Sequence, residues 1–204
     1  MELSEIRRRR RMVRRYDPDV PVPAAALDRV LAAGLRVPSA GFTQGVSLLV
    51  LQGRDVGRYW ASTTDPDVPA DRWLTGMRTA PVLVLVWTDP DAYLDRYAEA
   101  DKGWTDRDPG RWTAPYWHVD AGMAVLAMLY AAVDEELGSC FFGAPPERIA
   151  TIRSTYAVPT GQLLVGVVSL GVPAGPPSRS RKERRPADEL VHRGQWRPTS
   201  HPVL

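Results

Sequence analysis

The chain has one cysteine, three histidines and three phenylalanines in 204 residues, and Lys102 and Lys182 are its only lysines. A lone Cys140 excludes an intrachain disulfide and a thiolate metal cluster. His118, His192 and His201 are scattered and form no zinc-ligand spacing. The longest apolar run, 121–133, falls short of the ~20 residues a membrane span needs. The basic N-terminus runs into Asp, Pro and Val instead of the apolar core of a signal peptide, so the expected location is cytoplasmic. There is no GxGxxG after a strand, no GxxxxGK and no GxSxG. Cys140 sits in an apolar run without a neighbouring histidine and reads as a buried structural thiol. His118 reads as a surface or capping residue. If the chain is an enzyme, its hard chemistry belongs to a bound cofactor.

What is present fits one soluble domain over 1–204, with 44% hydrophobic and 25% charged residues. Arginine supplies 24 of the 26 basic side chains, and its planar fork suits phosphate and carboxylate. Basicity concentrates at the ends, with seven arginines between Arg7 and Arg15 and more from Arg179 to Arg197. A net charge of only +2 argues against the broad basic face of a nucleic-acid protein.

Pro23 opens an amphipathic helix that closes at Pro38, with Leu27, Val30, Leu31 and Leu35 on one face. The runs at 47–52, 81–88 and 162–173 read as strands buried on both faces. Residues 54–62, 70–79 and 145–158 look helical, and 139–143 reads as a strand or extended turn. The strongest helix spans 118–138, stops at Gly138, and is apolar almost all round. Such a helix is expected to be covered on both sides, in a dimer interface or within one subunit. The expected fold is α+β, a sheet of buried strands flanked by helices, with a polar extended tail at 174–204 laid over a partner subunit. Residues 89–117 form a long excursion, either a lid or binding loop or an aromatic cluster capping the sheet.

Three stretches resemble the FMN-dependent nitroreductase family: "RRMVRRYDPDVPVPAAALDRVLAAGLRVPSAGFTQ", "DAGMAVLAMLYAAVDEELGSCFFG" and "VGVVSLGVPAGPPSRSRKERRPADELVHRGQW". They follow the family's order and leave only about 53–117 uncovered. The resemblance implies a three-layer fold with a central, mostly antiparallel sheet, in an intertwined homodimer that binds FMN. By motif, Arg10 and Arg11 hold the FMN phosphate and ribityl end, with Met12 between them and Arg14. Arg14 stands beside the flavin's pyrimidine edge, where positive charge favours the reduced anion. Pro38, Ser39, Ala40 and Gly41 run along the isoalloxazine, and Gln44 supplies a polar contact. The turn Cys140, Phe141, Phe142 and Gly143 lies against the ring, and Lys182 and Arg184 add phosphate contacts. Arg7, Arg8 and Arg9 match no motif position and read as a solvated helix face.

The chain departs from the family at three places. Met12 replaces a common Ser, Phe42 a common Asn, and Gly45–Val46 a common Pro-Trp. "PSAGFTQ" is closer to the branch of dimethylbenzimidazole synthases and iodotyrosine deiodinases. The leading expectation is an oxidoreductase that passes hydride from NAD(P)H through FMN to a nitroaromatic or quinone. Candidate substrate contacts are Phe42, Tyr93, Tyr97, Trp104, Trp112, Tyr116 and Trp117. Alternatives are a specialised flavin enzyme for dehalogenation, oxidation or flavin cleavage, and a flavin-storage protein with little turnover. A deazaflavin reductant, and reduction of a substrate other than these, stay open at this point.

Overall fold

The computed structural model describes residues 1–175 and 183–196. Of the tail expected over 174–204, residues 176–182 and 197–204 lie outside that range. Among the described residues the chain runs α1 (Leu3–Arg9), α2 (Ala24–Leu35), β1 (Val46–Gln52), α3 (Arg54–Thr63), α4 (Arg72–Met77) and β2 (Val82–Thr88). It continues through α5 (Pro90–Ala98), α6 (Tyr116–Asp134), β3 (Gly138–Phe142), α7 (Ile149–Thr155), β4 (Leu163–Gly171) and α8 (Ala187–Leu190).

The four strands form one antiparallel sheet in the order β1-β2-β4-β3. All seven residues of β2 are buried, as its unbroken apolar run requires of a central strand. Alternation along the strand sorts its side chains into two cores. Val82, Val84 and Val86 face Leu27 and Val30 of α2 and Val125, Met128 and Leu129 of α6. Leu83, Leu85 and Trp87 face Val56, Tyr59 and Trp60 of α3 and Ile152 of α7. Helices thus cover both faces, in three layers. Each Leu or Val so buried contributes about 1.5–3 kcal/mol over the exposed state.

Helix starts follow local chemistry. Asp71 caps α4 by accepting from the Leu74 N–H, and Asp89 caps α5 by accepting from Asp91 and Ala92, with Pro90 in its first turn.

Two expectations need correction. β1 is not buried on both faces: only Leu51 is fully buried, because β1 is an edge strand. The long helix ends at Asp134, not at Gly138; Glu136 takes a left-handed φ of 58°, and Gly138 opens β3 against Val13 and Pro173. Within the chain α6 leaves Val119 and Leu126 43% and 45% exposed on one side. By length and composition α6 could cross a membrane, yet eight of its residues are buried in the protein core.

Candidate functional site

The arginine arm is anchored to the sheet. Met12 bridges Ser139 of β3, the Val13 N–H donates to the Ser139 carbonyl at 2.9 Å, and Tyr16 bridges Pro173. Tyr16 is 1% exposed; its hydroxyl donates to the Val13 carbonyl at 2.7 Å and lies 2.7 Å from the Ser169 hydroxyl. Its N–H donates to Thr79 Oγ1 at 2.8 Å. On the other side Gly76 of α4 lies so close that any β-carbon there would strike the Arg14 carbonyl.

These anchors place the arm along the floor of a cavity of about 1190 Å³. Arg8 and Arg9 of α1 stand on one wall and Arg72 and Trp73 of α4 on another, with Val133, Leu137 and Gly138 at the end. Arg11, Arg14 and Arg15 also line it, and Glu136 is the single acid among the lining residues. The guanidiniums of Arg14, Arg15 and Arg72 make no hydrogen bond or ion pair among the described residues. Arg10 does not line the cavity, but its Nη1 is buried without a hydrogen-bond partner among the described residues. Arg11 instead turns Nη1 onto the carbonyls of Arg8 and Arg10, at 2.6 and 2.8 Å, closing the end of α1. Arg7, Arg8 and Arg9 are exposed on α1, as a solvated helix face would be. Arg15, Arg72 and Trp73 were not singled out from sequence. Arg15 lay within the legible arginine run, whereas Arg72 and Trp73 carry no local signal beyond the Asp71 cap.

The second predicted group lies elsewhere. Ala40–Phe42 is a single 3₁₀ turn, and Gly41, Phe42 and Gln44 all have left-handed φ, at 61°, 58° and 55°. For the two non-glycines this conformation costs on the order of 1 kcal/mol each, so surrounding contacts must hold it. The Ala40 N–H donates to Asp120 Oδ2 at 2.8 Å, Arg96 Nε donates to the Gly41 carbonyl at 2.8 Å, and the Gln44 N–H donates to Ser39 Oγ at 3.0 Å. The result presents Phe42 at 77% exposure, with Pro38 and Gln44 exposed beside it. Asp120 is near the start of α6, whereas the arginine cavity touches Val133 near its end. At 1.5 Å per residue the two groups lie about 20 Å apart along the helix.

Of the third group, Cys140 is buried and free, and burial raises its thiol pKa. Phe142 stacks on Trp60 at 5.8 Å and meets the edge of Trp73 at 5.5 Å, so Trp73 stands between it and the cavity. Phe141 packs on the α6-side core, and Gly143 is exposed with open space around it. Lys182 lies outside the described residues, and Arg184 is exposed just ahead of α8.

The excursion at 89–117 holds α5 and a knot of rings. Trp112 is its hub, with centroids 4.3 Å from Tyr97, 5.2 Å from Tyr116, 5.5 Å from Trp104 and 6.4 Å from both Tyr93 and Trp117. Tyr93 is fully buried and donates to Asp120 Oδ2 at 2.9 Å, so in this conformation it faces the core. Tyr97, Trp104, Trp112 and Trp117 are half-buried, and Tyr116 is exposed.

Unpartnered guanidiniums around one cavity, with a buried orphan N–H on Arg10, suit a ligand bearing phosphate. The donor set therefore fits FMN. Among the described residues no group of His, Cys, Asp and Glu could hold a metal ion.

Residues 8–172 match the nitroreductase family model. An Archaeoglobus fulgidus protein provisionally named NADH dehydrogenase/NAD(P)H nitroreductase is 25% identical, over 92% of this chain and 94% of its own. A Desulfovibrio desulfuricans protein, provisionally named a nitroreductase and solved in complex with FMN, is 27% identical, with a TM-score of 0.72 over 96% of this chain and 98% of that one. The Lactococcus lactis nitroreductase CinD, solved with nicotinic acid, has a TM-score of 0.77 at 17% identity, over 94% of this chain and 100% of its own.

Proposed function

The chain belongs to the nitroreductase family, and from that premise we propose that it is an FMN-dependent oxidoreductase taking reducing equivalents from NAD(P)H and delivering them to a flat, electron-poor acceptor such as a quinone or nitroaromatic. The observation that carries this reading is the arginine arm, where Arg14 lines the cavity with no hydrogen bond or ion pair among the described residues and Arg10 Nη1 is buried without a partner. Arg10 would hold the phosphate, with Met12 giving backbone contact beside it. Arg14 would set a fixed positive charge against the pyrimidine edge, where negative charge collects on reduction. Bound FMN would supply the two-electron chemistry that no side chain of this protein can carry. No general base is required of the protein, whose task is to bind, to orient and to exclude water.

The working unit is a cytoplasmic homodimer. Arg14 and the Ser39–Gln44 segment cannot reach one flavin ring from opposite ends of the same α6. A two-fold axis beside α6 would bring the partner's segment to the arginine cavity. Val119, Met123, Leu126 and Tyr130 recur on one face of α6 at helical spacing and are exposed or half-buried, the seam such a pairing needs. Phe42 and the aromatics of the excursion then border the acceptor's place.

The test is direct. Purified protein should be yellow, release FMN on heating, bleach anaerobically with NADPH or NADH, and regain colour on adding a quinone. Colourless protein that takes up no FMN would end this reading, and yellow protein that neither nucleotide bleaches would make it a flavin store. Light scattering should give a dimer, and Leu126→Glu should give a monomer that loses flavin.

A further inference from the structure

The flavin reading leaves part of the basic wall without a task. The flavin reading uses Arg10, with its buried unpartnered Nη1, for the phosphate and Arg14 for the pyrimidine edge. The same cavity is lined by Arg8, Arg9, Arg15 and Arg72, with Glu136 the one lining acid. Arg8 and Arg9 share Glu5 at 3.7 and 3.8 Å, long and exposed contacts of the kind that contribute little. Arg15 and Arg72 have no ion pair or side-chain hydrogen bond among the described residues. Like charges lining one cavity repel one another and gain from a counter-anion. Beside Arg72, Trp73 is 38% exposed on the same wall, a flat apolar surface of the kind on which a base stacks.

Forked cations next to an exposed indole match an adenosine bearing phosphates. NADH and NADPH share that adenosine and a pyrophosphate with two negative charges. They differ by one phosphate monoester, about two charges. Less the lining acid Glu136, the four arginines beyond those assigned to the flavin leave about three positive charges, more than the two of the pyrophosphate alone, which favours the doubly phosphorylated form. We propose that Arg15 and Arg72, with Arg8 and Arg9 on the rim, form a second anion subsite that binds the 2′-phosphorylated adenosine end of the reductant, so that the protein selects NADPH over NADH. This inference rests on the flavin reading above for the use of that reductant.

Two measurements on the FMN-loaded protein test it: kcat/KM for NADPH and NADH, and calorimetric titration with 2′,5′-ADP and ADP. NADPH should be preferred by about tenfold or more, and 2′,5′-ADP should bind about tenfold or more tightly than ADP, the yield of one charge-assisted contact. Both ratios should shrink as salt shortens the reach of the charges. Arg72→Gln and Arg15→Gln should each narrow both ratios by about threefold to tenfold. Both side chains are exposed, so folding should survive, and flavin content is measured alongside. Equal use of NADH and NADPH, equal binding of the two ADP species, or variants that weaken both nucleotides alike would overturn the subsite. A variant that loses FMN while keeping the NADPH preference would move that arginine to the flavin and refute its place here. If the protein takes up no FMN the flavin reading fails, and the two ADP titrations still decide the subsite.

Discussion

Replacing Tyr93 with Phe deletes one oxygen and keeps the ring, so it isolates the contact that ties the excursion to α6. The hydroxyl donates to Asp120 Oδ2 at 2.9 Å, and the Ala40 N–H donates to the same oxygen at 2.8 Å. Asp120 is 1% exposed, and its Oδ1 is buried with no partner among the described residues. The variant therefore leaves a buried carboxylate with one donor where it had two. A hydrogen bond to a charged group contributes about 1.5–3 kcal/mol net, and the large apolar contact of the ring is unchanged. A domain of this size loses about 2–4 °C of Tm per kcal/mol, so Tyr93→Phe should melt about 3–12 °C lower. Urea unfolding should show the same loss with no change in slope. The double variant with Asp120→Asn should be less destabilised than the sum of the singles, because the two side chains act on one another. Hydrogen exchange should quicken at the Ala40 amide first. A Tm within about 1 °C of the parent, or strict additivity with Asp120→Asn, would refute the reasoning.

Burial raises the hydroxyl pKa of Tyr16, Tyr59 and Tyr93, with Asp120 adding to the effect at Tyr93, and burial lifts Tyr156 to about 12. Each holds its proton more tightly when folded, so its contribution is intact below a pH of about 10 and is lost as pH climbs towards the folded values. Denaturant midpoints should fall above that point, and phenolate absorbance from these four should appear only with unfolding; free titration of all seven tyrosines in the folded state would contradict this. Burial likewise raises the Cys140 thiol, so a disulfide reagent at pH 8 should label it only after denaturation, and rapid stoichiometric labelling of native protein would count against a buried thiol. Gly76→Ala pushes a β-carbon into the Arg14 carbonyl, a backbone atom that cannot swing aside. It should cost about 1–3 kcal/mol of stability and weaken FMN binding more than a change at solvent-facing Gly57, which has open space around it.

Much of the architecture was legible because burial on both faces leaves an unbroken apolar run. The runs at 81–88 and 162–173 read as strands for that reason and fold as β2 and β4, and α2 showed its apolar face at helical spacing. The edge position of β1 was not legible, since an apolar strand reads alike whether or not a neighbour covers its outer side. The end of α6 was misplaced because Glu136, not the glycine, takes the left-handed residue that stops it.

The candidate site divides along the same line. The arginine run, the Pro38–Gln44 segment and the aromatic content of 89–117 are properties of residue type and order, so the sequence by itself determined which side-chain chemistry is on offer: guanidinium forks suited to phosphate and flat rings suited to stacking. Tertiary structure alone decided which of these residues meet. It brought Arg72 and Trp73 from α4 to face Arg14, turned Arg11 back onto its own helix, buried Tyr93 against Asp120, and set the two halves of the expected cradle at opposite ends of α6. The physical reason is that residue type is local, whereas a shared cavity depends on long-range packing. Here that packing is the close approach at Gly76 and the Tyr16 anchor, which carry no local mark of the partners they will have.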